Sequence, residues 1–98
     1  ALSGSGPAYV FLLIEAMGEA GMKLGLDEAS SRMLARETVY GATCLVVESG
    51  KPASELRAQV NSPNGTTQAA IESFERDGCK EMVTKAITAA CKRSKELG

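Results

Sequence analysis

A chain of 98 residues with 11 Lys and Arg against 12 Asp and Glu, no His and no Trp has room for one small domain and carries little average charge. Folding at this size removes only about 60 to 68% of the unfolded surface from water, so the core is thin. With 44% apolar and 23% charged residues the chain reads as globular, and its near balance of charge removes any general attraction to nucleic acid or anionic lipid.

The missing residue types exclude more. Without His the chain alone holds no Ser-His-Asp or Cys-His arrangement, no imidazole base and no Cys/His zinc cluster, and no metal site is expected. Cys44, Cys79 and Cys91 are odd in number and lack CxxC spacing, which suits reduced, mostly packed thiols in a cytoplasmic setting. No segment approaches the run of about 18 apolar residues that a membrane span requires, so no membrane is expected as a partner. The start at Ala1-Leu2 without Met reads as an excised domain or a processed end.

Ser3-Gly4-Ser5-Gly6-Pro7 is a turn signal, and Pro7 suits the first turn of a helix, where its missing N–H would be unpaired anyway. The helix is expected from Pro7 or Ala8 to Lys23 or Leu24. Glu15, Glu19 and Lys23 form a polar stripe, with Glu19 and Lys23 spaced for an ion pair worth about 0.2 to 0.5 kcal/mol. Tyr9, Phe11, Leu12, Leu13 and their apolar neighbours cover most other directions. Such a helix needs contacts on several sides, from surrounding helices or a second subunit, and a homodimer is the expectation.

Gly25 permits a helix exit, Leu26 anchors the crossing, and Asp27 caps a second helix reaching Glu48. Leu34, Val39, Leu45, Val46 and Val47 are expected to supply its core side chains. Gly41 inside that helix costs about 1 kcal/mol relative to Ala, which a close helix crossing would offset. Ser49-Gly50-Lys51-Pro52 breaks the chain before a short helix over Pro52 to Gln59.

Asn61-Ser62-Pro63-Asn64-Gly65 then forms a turn ahead of Thr66-Thr67 and an apolar periodic segment from about Gln68. Asp77-Gly78 separates that helix from a last one over Cys79 to Glu96. Ile71 and Phe74 are expected to pack the former, and Met82, Val83, Ala86 and Ile87 the latter. No period-two strands interrupt this order, so the fold class is all-α and residues 1–98 form one helical domain. Ala1 to Gly50 carries 3 basic and 6 acidic side chains, and Lys51 to Gly98 carries 8 and 6, for net charges of −3 and +2 that nearly cancel. The basic Lys92-Arg93-Ser94-Lys95 cluster suits a solvated helix C-terminus, and no nucleic acid is expected as a partner.

Val60 to Thr67 is the most informative local feature. Ser and Thr hydroxyls can donate to a small anion, Gly65 permits close backbone approach, and the unpaired N–H groups entering a helix can bind a carboxylate or phosphate. Helix capping and turn formation explain the same residues. Ser3-Gly4-Ser5-Gly6 lacks both the preceding strand of a dinucleotide fingerprint and the Lys of a phosphate-binding loop, so it reads as a close-approach segment beside a shared cleft.

Taken in order, Gly4-Ser5-Gly6-Pro7-Ala8-Tyr9, Gly21-Met22-Lys23-Leu24-Gly25-Leu26 and Leu56 to Thr67 resemble the C-terminal domain of pyrroline-5-carboxylate reductase. The resemblance covers essentially all 98 residues. Two departures stand out: Asn64 where the family has Gly, and Lys51-Pro52 where His-Pro is more common.

The resemblance implies a helical dimerisation domain of the kind found in 6-phosphogluconate-dehydrogenase-like reductases, interlocked with its counterpart in a homodimer or a higher oligomer built from it. It also implies a Rossmann domain ahead of it that does most of the binding of NADPH or NADH. The reaction implied is reduction of Δ1-pyrroline-5-carboxylate to L-proline, the last step of proline biosynthesis. Ser62, Gly65, Thr66 and Thr67 would hold the substrate, with Thr67 the catalytic hydroxyl at the ring nitrogen, and Ser5, Gly6, Pro7 and Ala8 would line the nicotinamide side. An isolated domain would then be inactive. The competing expectation is a non-catalytic helical interaction or regulatory module.

Overall fold

Turn residues divide the chain into five helices, seen in a computed structural model that describes residues 2–98: α1 (Gly6–Lys23), α2 (Glu28–Ser49), α3 (Ala53–Val60), α4 (Thr66–Arg76) and α5 (Cys79–Leu97). The described residues contain no strand, so the all-α expectation holds. The reading of the chain's start at Ala1 lies outside the described residues. Each boundary has a local cause. Pro7 lies in the first turn of α1, and Gly25 leaves that helix at φ 110°, with the Leu26 N–H donating back to the Gly21 carbonyl at 3.0 Å. Asp27 caps α2 by accepting from the Ser30 N–H at 3.0 Å, and Gly50 ends it in the left-handed region at φ 67°. Gly78, at φ 70°, separates α4 from α5.

The helices fall into two compact units: one is Ser5–Lys51, and the other is Pro52–Gly98 together with residues 2–4. In the first, α1 and α2 form a hairpin through small residues. Gly18 of α1 and Ser31 and Ala35 of α2 are buried there, and the Ser31 hydroxyl donates to the Gly18 carbonyl at 2.6 Å. A β-carbon at Gly21 would overlap Ser31 Oγ and stand 3.3 Å from Ser31 Cβ, so this crossing is as close as glycine permits. In the second unit α4 meets α5, and Leu56 of α3 is its buried apolar residue.

Several side chains expected in a core are exposed. Leu34 is 48% exposed, and Leu45, Val46, Val47, Phe74, Met82 and Val83 are open as well. On α1, Phe11 and Leu12 are 66% and 65% exposed. The chain exposes 7678 Å², whereas a self-sufficient folded monomer of 10.2 kDa exposes about 5,300 Å². The amphipathic pattern marks these faces for burial, and within this chain they stay open.

Three smaller expectations also fail within this chain. A β-carbon at Gly41 would have nothing within 4 Å, so the close crossing lies at Gly18 and Gly21 of α1 instead. Glu19 and Lys23 do not pair; the ion pairs among the described residues are Glu28–Arg32, Arg36–Glu37 and Arg93–Glu96, each at 3.2 Å and solvated. Exposed pairs of this kind add little stability. Cys44 and Cys79 are half-buried and Cys91 is exposed, so the thiols are less packed than expected.

Candidate functional site

The turn between α3 and α4 is built by its residue types. The Asn61 N–H closes α3 onto the Arg57 and Ala58 carbonyls at 3.2 Å, and the Gly65 N–H then donates to the Ser62 carbonyl at 2.9 Å. Pro63 occupies the second position of this four-residue turn and Asn64 the third, at φ 60°. That order, with positive φ after proline, belongs to a type II turn, where Asn is the non-glycine residue best able to adopt the left-handed region. Gly65 relieves crowding and not backbone strain. Its backbone is extended at φ −91°, but a β-carbon there would stand 3.1 Å from the Ser62 carbonyl oxygen.

Gly65 is the N-cap of α4 and has no side chain with which to cap it, and the first helical bond runs from the Ala69 N–H to the Gly65 carbonyl at 3.2 Å. The N–H groups of Thr66, Thr67 and Gln68 therefore have no partner among the described residues. The hydroxyls of Ser62, Thr66 and Thr67 are also uncommitted, unlike those of Thr43 and Thr84, which fold back onto helix carbonyls at 2.8 and 3.0 Å. The helix begins at Thr66, two residues earlier than the apolar pattern suggests. Thr66 and Thr67 are thus its first two helical residues and do not cap it.

Charge points the same way. The first turns of α2, α3 and α5 carry Glu28, Glu55 and Glu81, which complement the positive end of each helix dipole. The first turns of α1 and α4 carry no acidic residue. At α4 three backbone donors, nearby hydroxyls and a positive helix end meet with no acidic side chain in the first turn, an arrangement suited to a carboxylate. Thr67 and Gly65 are half-buried, whereas Ser62 and Thr66 are exposed.

Sequence reasoning missed Gln68. Its Oε1 accepts from the Asn64 N–H, and its Nε2 donates to Glu72 Oε1 at 3.0 Å. The available signal was a Gln three residues after the N-cap, the position from which such a side chain reaches back over the helix start.

Ser62, Gly65, Thr66 and Thr67 are thus brought together in one turn of the second unit. Ser5, Gly6, Pro7 and Ala8 come together at the start of α1 in the first unit, where the Ala8 N–H donates to the Ser5 carbonyl at 3.0 Å. The Ser5 hydroxyl is hydrogen-bonded to the Tyr9 hydroxyl. Gly6 has nothing within 4 Å of where its β-carbon would be, so its backbone is open to a flat ring. Among the described residues no group of three His, Cys, Asp or Glu could hold a metal ion, and no helix is long and apolar enough to cross a membrane.

The family described as pyrroline-5-carboxylate reductase dimerisation matches residues 1–97. The pyrroline-5-carboxylate reductase of Pseudomonas aeruginosa is 50% identical over 97 residues, covering 99% of this chain and 36% of its own length. That of Corynebacterium melassecola is 49% identical over 98 residues, covering 100% of this chain and again 36% of its own. The chain therefore spans little more than a third of the length of these curated relatives. A solved structure of the Coxiella burnetii pyrroline-5-carboxylate reductase is similar with a TM-score of 0.95 at 45% identity, covering 99% of this chain and 36% of that one. A Plasmodium falciparum pyrroline carboxylate reductase, solved with NADP bound, gives 0.94 at 39% identity, covering 99% of this chain and 37% of that one. With its five helices and the open first turn of α4, the chain belongs to the pyrroline-5-carboxylate reductase dimerisation family.

Proposed function

We propose that this chain is the helical half of a reductase that converts Δ1-pyrroline-5-carboxylate to L-proline with NADPH or NADH, and that α4 seats the substrate. The single observation that carries the reading is the uncommitted N-terminus of α4: three N–H donors, three hydroxyls and no acidic residue in its first turn. The substrate carboxylate accepts from the N–H groups of Thr66, Thr67 and Gln68 and from the Ser62 hydroxyl. The hydroxyl of half-buried Thr67, the second residue of α4, orients the ring nitrogen or helps protonate it.

Catalysis on this reading needs no strong base in the chain. A protonated cyclic iminium is already electrophilic, so holding it in one orientation and stabilising its changing charge with fixed dipoles supply most of the rate. The open backbone at Gly6 suits the nicotinamide face, with Ser5, Pro7 and Ala8 beside it. The bound cofactor, held mainly by a nucleotide-binding domain elsewhere in the protein, supplies the hydride.

A second copy covers the apolar faces left open on α1 and α2. The surface in excess of a self-sufficient monomer is roughly 2,400 Å², the scale that each subunit buries in an obligate homodimer of about 2,000 to 5,000 Å² total. The three free thiols suit a reducing cytoplasmic setting.

The test is nicotinamide-dependent formation of L-proline by the longer protein that carries this domain. Proline formed with matching cofactor oxidation supports the reading. Stable association without turnover would favour a helical interaction module instead.

A further inference from the structure

The donors left free at α4 depend on which neighbouring N–H groups are already occupied. Five consecutive N–H groups approach this end of the helix, from Asn64 to Gln68. Gly65 is taken by the Ser62 carbonyl at 2.9 Å, and Asn64 is taken by Gln68 Oε1. What remains is the unbroken set Thr66, Thr67 and Gln68.

Two further features make the Gln68 contact a clamp. Asn64 holds φ 60°, a left-handed conformation that Asn adopts more readily than other residues with a β-carbon but less freely than Gly, and the Gln68 contact holds its peptide there. Gln68 also cannot turn its amide over without losing both bonds. The Asn64 N–H is a donor and the Glu72 carboxylate an acceptor, and only Oε1 toward Asn64 with Nε2 toward Glu72, the latter at 3.0 Å, lets the amide bond both at once. Glu72 thus fixes the amide, the amide fixes the Asn64 peptide, and that peptide sets the direction of the turn carrying Ser62 and Gly65.

We propose that Gln68 is a positioning residue for the substrate carboxylate, braced by Glu72, an inference that rests on the assignment of the α4 N-terminus as the substrate seat. Gln68 acts through the side-chain clamp on Asn64, separately from whatever its own backbone N–H does. It sets the aim of the donors and takes no part in bond making, so its loss falls on substrate binding.

The experiment measures steady-state kinetics of the full-length reductase carrying Gln68→Met, which keeps the length of the side chain and removes both bonds. The expected result is a rise of about fivefold in KM for pyrroline-5-carboxylate, with kcat and the KM for the nicotinamide cofactor little changed. Glu72→Met, which leaves Gln68 in place but removes its brace, raises the same KM by a smaller factor and serves as the test if Gln68→Met does not fold. An unchanged substrate KM in the folded variant, or equal changes in the substrate and cofactor KM, would overturn the positioning role. Thr67→Ala in the same assay separates this from the underlying assignment. Loss of efficiency in Thr67→Ala with an unchanged KM in Gln68→Met removes the clamp alone, whereas normal efficiency in Thr67→Ala together with an unchanged substrate KM in Gln68→Met removes the assignment of this helix end as the substrate seat.

Discussion

Ser31 on α2 donates its hydroxyl to the Gly18 carbonyl on α1 at 2.6 Å, inside the closest part of the helix hairpin. The bond exists because Gly21, one turn further along α1, has no side chain to displace the hydroxyl. Close approach and a buried polar bond therefore depend on each other.

Gly21→Ala should destabilise the protein by about 1 to 3 kcal/mol despite a gain in helix propensity of about 1 kcal/mol, because the methyl drives Ser31 off its acceptor. Adding Ser31→Ala should recover much of that loss, giving a coupling above about 1 kcal/mol in a double-mutant cycle read by urea denaturation. Additive effects would show that the two residues do not share this space.

The cap of α2 predicts a pH dependence. The Ser30 N–H, with help from the Ser30 hydroxyl, holds the Asp27 carboxyl below its ordinary value. Its contribution is therefore full above the unfolded-state value and is lost as pH falls through the lower folded-state value. Asp27→Asn should flatten that part of the acid slope in a plot of thermal midpoint against pH. The same slope in both proteins would remove the carboxylate from the account.

Asn64 tests the turn before α4. Glycine adopts φ 60° freely, whereas alanine does so at a cost of about 1 kcal/mol or more. Asn64→Gly should thus fold with near-native stability and Asn64→Ala should lose about that much by denaturant titration. Equal stability of the two would mean that the left-handed backbone places no demand on the residue.

The open apolar faces predict that folding is tied to association. With Phe11 and Leu12 about two-thirds exposed in the single chain, the thermal midpoint should rise with protein concentration, as mass action requires when only the folded state associates. Phe11→Lys should lower the midpoint and shift light scattering toward the mass of one chain. A midpoint independent of concentration, with an unchanged mass in the variant, would contradict this.

Helix positions were largely legible in the sequence because turn chemistry punctuates them: Pro7 at one start, Gly25 and Asp27 at one corner, Gly50 and Gly78 at two ends. The core was not, because Leu34, Leu45 and Val47 carry a burial pattern that the packing of this chain leaves uncovered. The start of α4 was misread for a local reason. Thr66 and Thr67 have modest helix propensity and the preference of Ser and Thr for caps, so they read as cap residues, whereas Gly65 takes the N-cap and leaves their hydroxyls free. The turn residues at 62, 65, 66 and 67 were legible, but the Gln68 clamp depends on a side-chain path that spacing alone only hints at.

The most direct measurement is the catalytic efficiency of Thr67→Ala and Thr67→Ser in the full-length reductase, read as proline formed from pyrroline-5-carboxylate and nicotinamide cofactor. The account predicts that Thr67→Ala lowers kcat/KM by about tenfold or more, the loss expected for one oriented hydrogen bond in the transition state, and that Thr67→Ser retains most of it. A kcat/KM for Thr67→Ala equal to that of the unmodified enzyme would contradict the role of the Thr67 hydroxyl at the ring nitrogen, the central chemical claim of the account.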